Sequence, residues 1–169
     1  MLVGDRPPIV IGPKAPIGLG FRAEHIAVAP DGSWVAGAVY HDPLQIIDAQ
    51  SGLLIKRLTG LDHPATCVAV SNESLLAISE GTLHVWNTGT WEEVSSIKGP
   101  SGQVAATEDG ASVICTIPEA STLTIWSLLD GTLVDEIDVG SKPLALAVRG
   151  RAIWVGCEDG TIKRYEHRP

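Results

Sequence analysis

The chain has 169 residues, a net charge of −8 and 44% apolar residues, which suits one folded domain and excludes an intrinsically disordered chain. The charge is uneven, because residues 58–141 carry one basic side chain against twelve acidic ones, whereas residues 142–169 carry six against three. An acidic middle repels a phosphate backbone, so we expect no nucleic-acid partner.

The sequence contains no signal for a membrane or for secretion. No apolar run approaches the roughly 20 residues that a membrane-spanning helix needs, and the N-terminus lacks a basic segment followed by an apolar one. The three cysteines, Cys67, Cys115 and Cys157, are an odd number, and each lies in an apolar, strand-like segment. We expect buried free thiols in a reducing compartment. The sequence therefore predicts a cytoplasmic protein with no membrane contact.

In chain order, residues 1–24 are predicted to form an N-terminal arm. Residues 8–12 in this arm read Pro-Ile-Val-Ile-Gly, which is a strand-like sequence. Such a strand can close a ring of repeats by pairing with the last strand of the chain. An arm without that partner is the alternative.

The rest of the chain repeats itself with a period near forty. The clearest marker is a strand-like phrase that ends in a large side chain followed by a polar one. These large residues are 39, 40 and 39 positions apart: Ile47, Trp86, Trp126 and Tyr165. The period divides the chain into four predicted repeats, at about 25–60, 61–99, 100–140 and 141–169.

Each repeat is predicted to contain four short strands, except the fourth repeat, which stops after its third strand. The turns between strands contain pairs such as Asp31-Gly32 and Asp109-Gly110, which suit tight hairpins. The predicted fourth strands share an order of apolar, polar, polar, apolar residues, as in the segment from Ile55 to Leu58. A spacing of three is not strand alternation, and a bulge or a local twist would account for it.

A period near forty built on short strands is typical of a β-propeller blade. The predicted second strands, such as residues 34–39, are apolar on both faces, as blades stacked side by side require. We therefore predict an all-β protein, a β-propeller of about four four-stranded blades. Three arrangements stay open: a compact four-blade ring, half of an eight-blade dimer, or a partial ring that is a piece of a longer chain.

Residues 25–169 resemble WD40 repeats, whose third strand typically ends in Trp-Asp. The corresponding pairs here depart from that motif: Ile47-Asp48, Trp86-Asn87, Trp126-Ser127 and Tyr165-Glu166. The Gly-His pair of WD40 repeats is absent, and links such as Gly140-Ser141-Lys142-Pro143 look more like the bacterial YVTN-type propeller repeat. The resemblance implies a propeller that serves as a platform for partners.

Polar residues in the predicted turns between second and third strands are the candidate partner-binding site. Such turns emerge on one face of a propeller, so repetition brings them to the same face. The candidate residues are Tyr40, His41, Asp42, Glu80, Glu119 and Glu158. The alternative is that these side chains merely occupy solvated turns. Trp91, at the start of an outer strand, is predicted either to pack at the rim or to anchor a partner.

These features predict a non-enzymatic scaffold that binds a protein or a peptide. One alternative is a metal-dependent propeller hydrolase that uses the turn carboxylates, and another is a structural fragment that completes the propeller of another chain. The predicted partners are a protein or peptide and either a second copy of the chain or another propeller segment. We assign no catalytic residue, metal ligand or cofactor from the sequence.

Overall fold

The computed structural model describes residues 9–11, 16–18, 23–38 and 43–167. Its regular structure is almost entirely β, with one short 3-10 turn at Pro118–Ala120. Within these ranges, no helix has the length and apolar character needed to cross a bilayer. The prediction of an all-β chain is therefore confirmed.

The described strands run through the chain at short intervals. In chain order they are β1 (Ile9–Ile11), β2 (Pro16–Gly18), β3 (His25–Val28), β4 (Trp34–Ala38), β5 (Leu44–Asp48), β6 (Leu54–Leu58), β7 (Cys67–Val70), β8 (Ser74–Ser79), β9 (Thr82–Asn87), β10 (Glu93–Lys98), β11 (Val104–Ala106), β12 (Ser112–Ile117), β13 (Thr122–Ser127), β14 (Leu133–Asp138), β15 (Pro143–Arg149), β16 (Ala152–Cys157) and β17 (Ile162–Glu166).

Strands β3 to β17 form four antiparallel sheets in which each strand pairs only with its neighbours in the sequence. Blade 1 is β3–β6, blade 2 is β7–β10, blade 3 is β11–β14, and blade 4 contains only β15–β17. The first strands pack side by side, β3 on β7, β7 on β11 and β11 on β15. This is a β-propeller of four blades, as predicted, and its last blade lacks a fourth strand among the described residues.

The hydrophobic core is divided among the spaces between blades. Ala36 and Ile46 of blade 1 meet Leu75 and Trp86 of blade 2 in one cluster. A second cluster joins blades 2 and 3, and a third joins blades 3 and 4. Most of the buried apolar residues belong to these three clusters, so packing between blades holds the fold together.

A β-bulge in each fourth strand explains the unusual spacing of its apolar residues. The pairing of β6 with β5 skips Ile55, that of β10 with β9 skips Val94, and that of β14 with β13 skips Val134. All three side chains are exposed. The bulge adds one residue to the outer strand and increases its twist, so the apolar residues recur at a spacing of three.

The strand predicted for residues 8–12 is present as β1, which pairs with β2 in a hairpin. The residues between and around these two strands lie outside the described ranges. Pairing of the arm with the last blade stays a prediction.

Trp91 packs at the rim rather than standing free. Its ring meets that of Trp34 edge to face, with ring centres 5.1 Å apart, and so links blade 2 to blade 1. Trp91 has a φ of 59°, in the left-handed region, and the corresponding turns of blades 1 and 3 place Gly52 and Gly131 there. The aromatic contact therefore holds a conformation that elsewhere in the chain is left to glycine.

A second close contact lies where blade 2 connects to blade 3. A Cβ added to Gly99, which has a φ of +118°, would lie 2.7 Å from the ring of Trp126. Gly60 has the same place after blade 1 and a φ of +105°, but a Cβ there would meet nothing within 4 Å. The two glycines share a backbone requirement, and only Gly99 has a steric one.

We predict that Gly99→Ala lowers the free energy of unfolding by about 2–4 kcal/mol, whereas Gly60→Ala lowers it by about 1–2 kcal/mol. The first change adds a clash with Trp126 to the cost of the left-handed backbone, and the second carries the backbone cost alone. Urea unfolding followed by tryptophan fluorescence measures both. Equal losses for the two variants would contradict the steric role of Gly99.

We predict that Trp91→Ala and Trp91→Gly both destabilise the fold, and that the glycine variant is the more stable of the two by about 1 kcal/mol. Both changes remove the contact with Trp34, but only glycine accepts the left-handed φ without cost. The measurement is the urea midpoint of each variant. A less stable glycine variant would show that φ is relaxed once the aromatic contact is lost.

Candidate functional site

The two rims of the propeller are distinguished by contacts between turns of neighbouring blades. The turn after β7 touches the turn after β11, where Asn72 Nδ2 donates a hydrogen bond to the carbonyl oxygen of Glu108 at 3.0 Å. The latter turn shares a cleft of about 230 Å³ with Gly150 and Arg151, in the turn after β15. We call this end the lower rim. The turns between second and third strands lie at the opposite end, the upper rim.

At the upper rim of blade 2, Glu80 and Gly81 form the tight turn between β8 and β9, with φ values of 44° and 71°. Glu80 Oε1 lies 3.1 Å from Nδ1 of His63, which belongs to the connection between blades 1 and 2. The hydroxyl of Ser79 donates a hydrogen bond of 2.9 Å to the carbonyl oxygen of His63. The turn is thus fixed against the connection that enters its blade.

Glu119 lies in the 3-10 turn of blade 3 and is exposed. The turn ends at Ser121, which has a left-handed φ of 53°, and the hydroxyl of Thr122 donates a 2.8 Å hydrogen bond back to the carbonyl oxygen of Ala120. Nearby, Thr116 Oγ1 accepts a 2.8 Å hydrogen bond from the backbone of Gln103, in the connection from blade 2. As in blade 2, a hydroxyl side chain near the turn is hydrogen-bonded to the backbone of the connection that enters the blade.

Glu158 of blade 4 is exposed in the turn between β16 and β17. Its backbone N–H donates a 2.9 Å hydrogen bond to the carbonyl oxygen of Lys142, in the connection from blade 3. The next residue, Asp159, accepts hydrogen bonds from the N–H and the hydroxyl of Thr161 at 2.9 and 2.6 Å. Backbone and side-chain contacts therefore hold this turn as well.

The structure places Glu80, Glu119 and Glu158 on the upper rim, one on each of three consecutive blades, as the sequence predicted for their turns. Tyr40, His41 and Asp42 lie outside the described residues. The following residue, Pro43, lines an open cleft of about 310 Å³ between blades 1 and 2. The upper rim is thus acidic and has a cleft at one end of the described carboxylates.

Asp62 and His63 line this cleft and were not predicted from the sequence as site residues. His63 contacts Glu80, which it precedes by 17 positions, so linear spacing gave no direct signal. The repeat period gave an indirect signal, because it defines the connections between blades. Each connection lies beside the turn between the second and third strands of the blade that it enters. Within residues 23–38 and 43–167, no group of three or more His, Cys, Asp or Glu is placed to hold a metal ion.

The aspartates in the turns act as local hydrogen-bond acceptors. Asp48 Oδ1 accepts bonds from the hydroxyl and the N–H of Ser51 at 2.6 and 2.7 Å. These two bonds hold the pKa of Asp48 below its ordinary value of 3.8, because they stabilise the charged carboxylate. The same kind of contact lowers the pKa of the following aspartates: Asp31, Asp109, Asp130 and Asp159.

The cysteines are structural. Cys67, Cys115 and Cys157 are buried free thiols, as the sequence predicted. Burial raises the pKa of Cys115 to about 12 and also raises that of Cys67, so both remain protonated near neutral pH.

The four radially packed sheets and the phrases at their third strands define a WD40-like β-propeller fold. No protein family model matches the chain. The chain is 27% identical over 158 residues to the pre-rRNA-processing protein crb3/ipi3 of Schizosaccharomyces pombe, a match that covers 79% of this chain and 35% of that protein. The chain therefore spans about a third of the length of this curated relative.

Solved structures share the fold. The WD40 repeats of RRP9 match with a TM-score of 0.75 and 15% identity, over 93% of this chain and 50% of that one. The computationally designed Ika4 protein matches with a TM-score of 0.68 and 21% identity, over 98% and 95% of the two chains. The designed Ika8 protein matches with a TM-score of 0.66 and 23% identity, over 83% of this chain and 45% of that one.

We predict that acid destabilises the protein less when Asp48 is replaced by asparagine. A carboxylate with a lowered pKa in the folded state contributes stability above about pH 3.8, and this contribution is lost as pH falls through the lowered value. Asparagine keeps an acceptor oxygen that does not titrate. Asn87 already fills the corresponding turn of blade 2, where its Oδ1 accepts hydrogen bonds from the backbone of Gly89 and Thr90.

The measurement is the urea midpoint at several pH values from 5 down to 2.5, for wild type, Asp48→Asn and Ser51→Ala. Removing the Ser51 hydroxyl should also reduce the loss at low pH, because that hydroxyl is the main cause of the lowered pKa. Parallel curves for all three proteins would rule out this turn as a source of acid sensitivity.

Proposed function

We propose that the chain is a non-enzymatic scaffold that binds a basic segment of a protein or peptide at its upper rim. The observation that carries the proposal is the repeated position of Glu80, Glu119 and Glu158, each in the turn between the second and third strands of successive blades. Rigid presentation lowers the conformational entropy that binding must remove. The net charge of −11 over residues 58–141 favours a basic partner over a phosphate backbone. The predicted binding residues Tyr40, His41 and Asp42 would extend the site over blade 1.

The similarity to a pre-rRNA-processing protein supports a place for this scaffold in a pre-rRNA-processing assembly. Within it, the acidic rim favours contacts with protein components rather than with RNA. Cytoplasmic residence stays the prediction of the sequence, and a location where pre-rRNA is processed is the alternative that the relative supports.

A second proposed role is completion of a larger propeller with another segment. It is favoured by the absence, among the described residues, of packing between β15 and β3 like that between the other first strands. It is also supported by the match of this chain to half of the RRP9 WD40 structure. The two roles are compatible, because the blade faces and the upper rim are separate surfaces.

We predict that replacing Glu80, Glu119 and Glu158 together by lysine weakens the binding of a labelled nine-residue Lys/Arg-rich peptide by about tenfold, a loss of about 1.4 kcal/mol. Like charges would replace opposite ones at the rim. The measurement is fluorescence anisotropy at low and physiological salt, since exposed charge pairs weaken as salt rises.

The matched control replaces Glu73, Glu92 and Glu108 by lysine. These residues are equally exposed but lie in turns at the lower rim, so this variant has the same net charge as the first. Equal loss in both variants would indicate non-specific attraction and would refute the upper-rim site. Binding that neither variant changes would refute it as well.

A further inference from the structure

The four blades form an arc with two open ends. One end is the face of blade 1 that points away from blade 2, here called the trailing face, with Ile26 and Val28. The other is the face of blade 4 that points away from blade 3, the leading face, with Trp154 and Ile162. Every other blade face among the described residues packs against a neighbouring blade.

The trailing face has the residues of an interior blade but is covered only in part, and its first strand is exposed. The pairing of β3 with β4 and of β7 with β8 aligns Ile26 with Val68, which packs against blade 1. Val68 is 7% exposed, whereas Ile26 is 52% exposed. Val28 is also half exposed, while Val35 and Ile47 of the same face are buried. The first strand of blade 1 thus exposes apolar side chains at positions that, in blade 2, pack against the preceding blade.

The leading face shows the same pattern at the other end. Ile162 occupies the position that Leu44, Leu83 and Leu123 fill in blades 1 to 3. Those three leucines are at most 1% exposed, whereas Ile162 is 74% exposed. Trp154 is 44% exposed, and the corresponding Ile114 of blade 3 is fully buried. An exposed apolar strip of this kind marks an interaction surface.

One charged residue lies on the leading face where earlier blades have aliphatic ones. Arg164 corresponds to Ile125 of blade 3. Its guanidinium lies 5.7 Å from the ring centre of Trp154, and its Nη2 lies 2.7 Å from Oε1 of Glu166. The charge is therefore paired within its own blade, so a covering blade need not supply a counter-ion.

We propose that a second copy of this chain covers both open ends, so that two copies close one ring of eight blades. The inference rests on the proposed completion of a larger propeller and is independent of peptide binding at the upper rim. In blades 2, 3 and 4, the face that corresponds to the trailing face packs on the preceding blade, on the face that corresponds to the leading face. The two open faces are therefore complementary surfaces.

The share of two solved structures that the chain covers supports closure with two copies. The chain aligns with 50% of the RRP9 WD40 chain and with 45% of the designed Ika8 chain. A head-to-tail contact forms a closed ring only when its rotation divides a full turn, and an arc that spans about half a turn closes after two copies.

The test is the molar mass of the purified chain by light scattering over a range of concentrations. We expect twice the chain mass of 17.8 kDa for wild type. Ile162→Glu on the leading face and Val28→Glu on the trailing face should each raise the dimer Kd by about a hundredfold or more, because each buries an unpaired charge. Leu129→Glu is the matched control, since Leu129 is 94% exposed in a turn of blade 3; it should leave the mass unchanged.

Mixing the two face variants separates head-to-tail pairing from other dimers. A ring of one Ile162→Glu copy and one Val28→Glu copy retains one intact interface and carries both charges in the other. We therefore expect a mixed dimer that is weaker than wild type and stronger than either variant alone. Far-UV circular dichroism of each variant verifies that the blades are folded.

A folded wild-type monomer at tens of micromolar would overturn the proposal, and so would a dimer that tolerates either face variant. Larger open assemblies, or a ring completed only on co-expression with a different propeller segment, would overturn it too, because the occupant would not be one second copy. Peptide binding by wild type and Ile162→Glu, measured in parallel, keeps this outcome distinct from failure of the upper-rim proposal.

Discussion

The fold depends on one constraint: a small antiparallel sheet with two apolar faces must be covered on both sides. The second strands of blades 2 and 3, β8 and β12, are buried nearly throughout, because each lies between two neighbouring blades. The clusters between blades supply most of the buried apolar surface, and the turns are arranged around them. Stability in such an array is nearly a sum of blade and interface contributions, so the ends of the arc are its weakest parts.

The same packing makes the upper rim rigid. Each connection enters its blade beside the turn between the second and third strands, and a hydrogen bond joins the two in blades 2 and 4. Surface side chains such as Glu80 thus stand on a frame that the core positions. A platform of this kind can change its partner by changing turn residues, because side chains such as Glu119 and Glu158 are exposed and lie outside the clusters between blades.

Periodicity was sufficient to predict the all-β fold and the grouping of strands into blades, since these features follow from local alternation and a fixed repeat length. The bulge at Ile55 was visible only as an irregular spacing, whose geometry the ladder with β5 then explained. The pairing of His63 with Glu80 and the aromatic contact between Trp34 and Trp91 were not predicted. They depend on how neighbouring blades are oriented, which many side chains decide together.

Among the residues that the structure describes, strand pairing does not cross from one repeat to another, because each strand of a blade joins only its sequence neighbours. A whole unit of about forty residues can therefore be duplicated or lost without breaking a single ladder. Gain or loss of one unit changes only the angle that further blades must span to close the ring. Evolution of this architecture can thus proceed in steps of one blade, with the number of units per chain and the number of chains per ring varying in compensation.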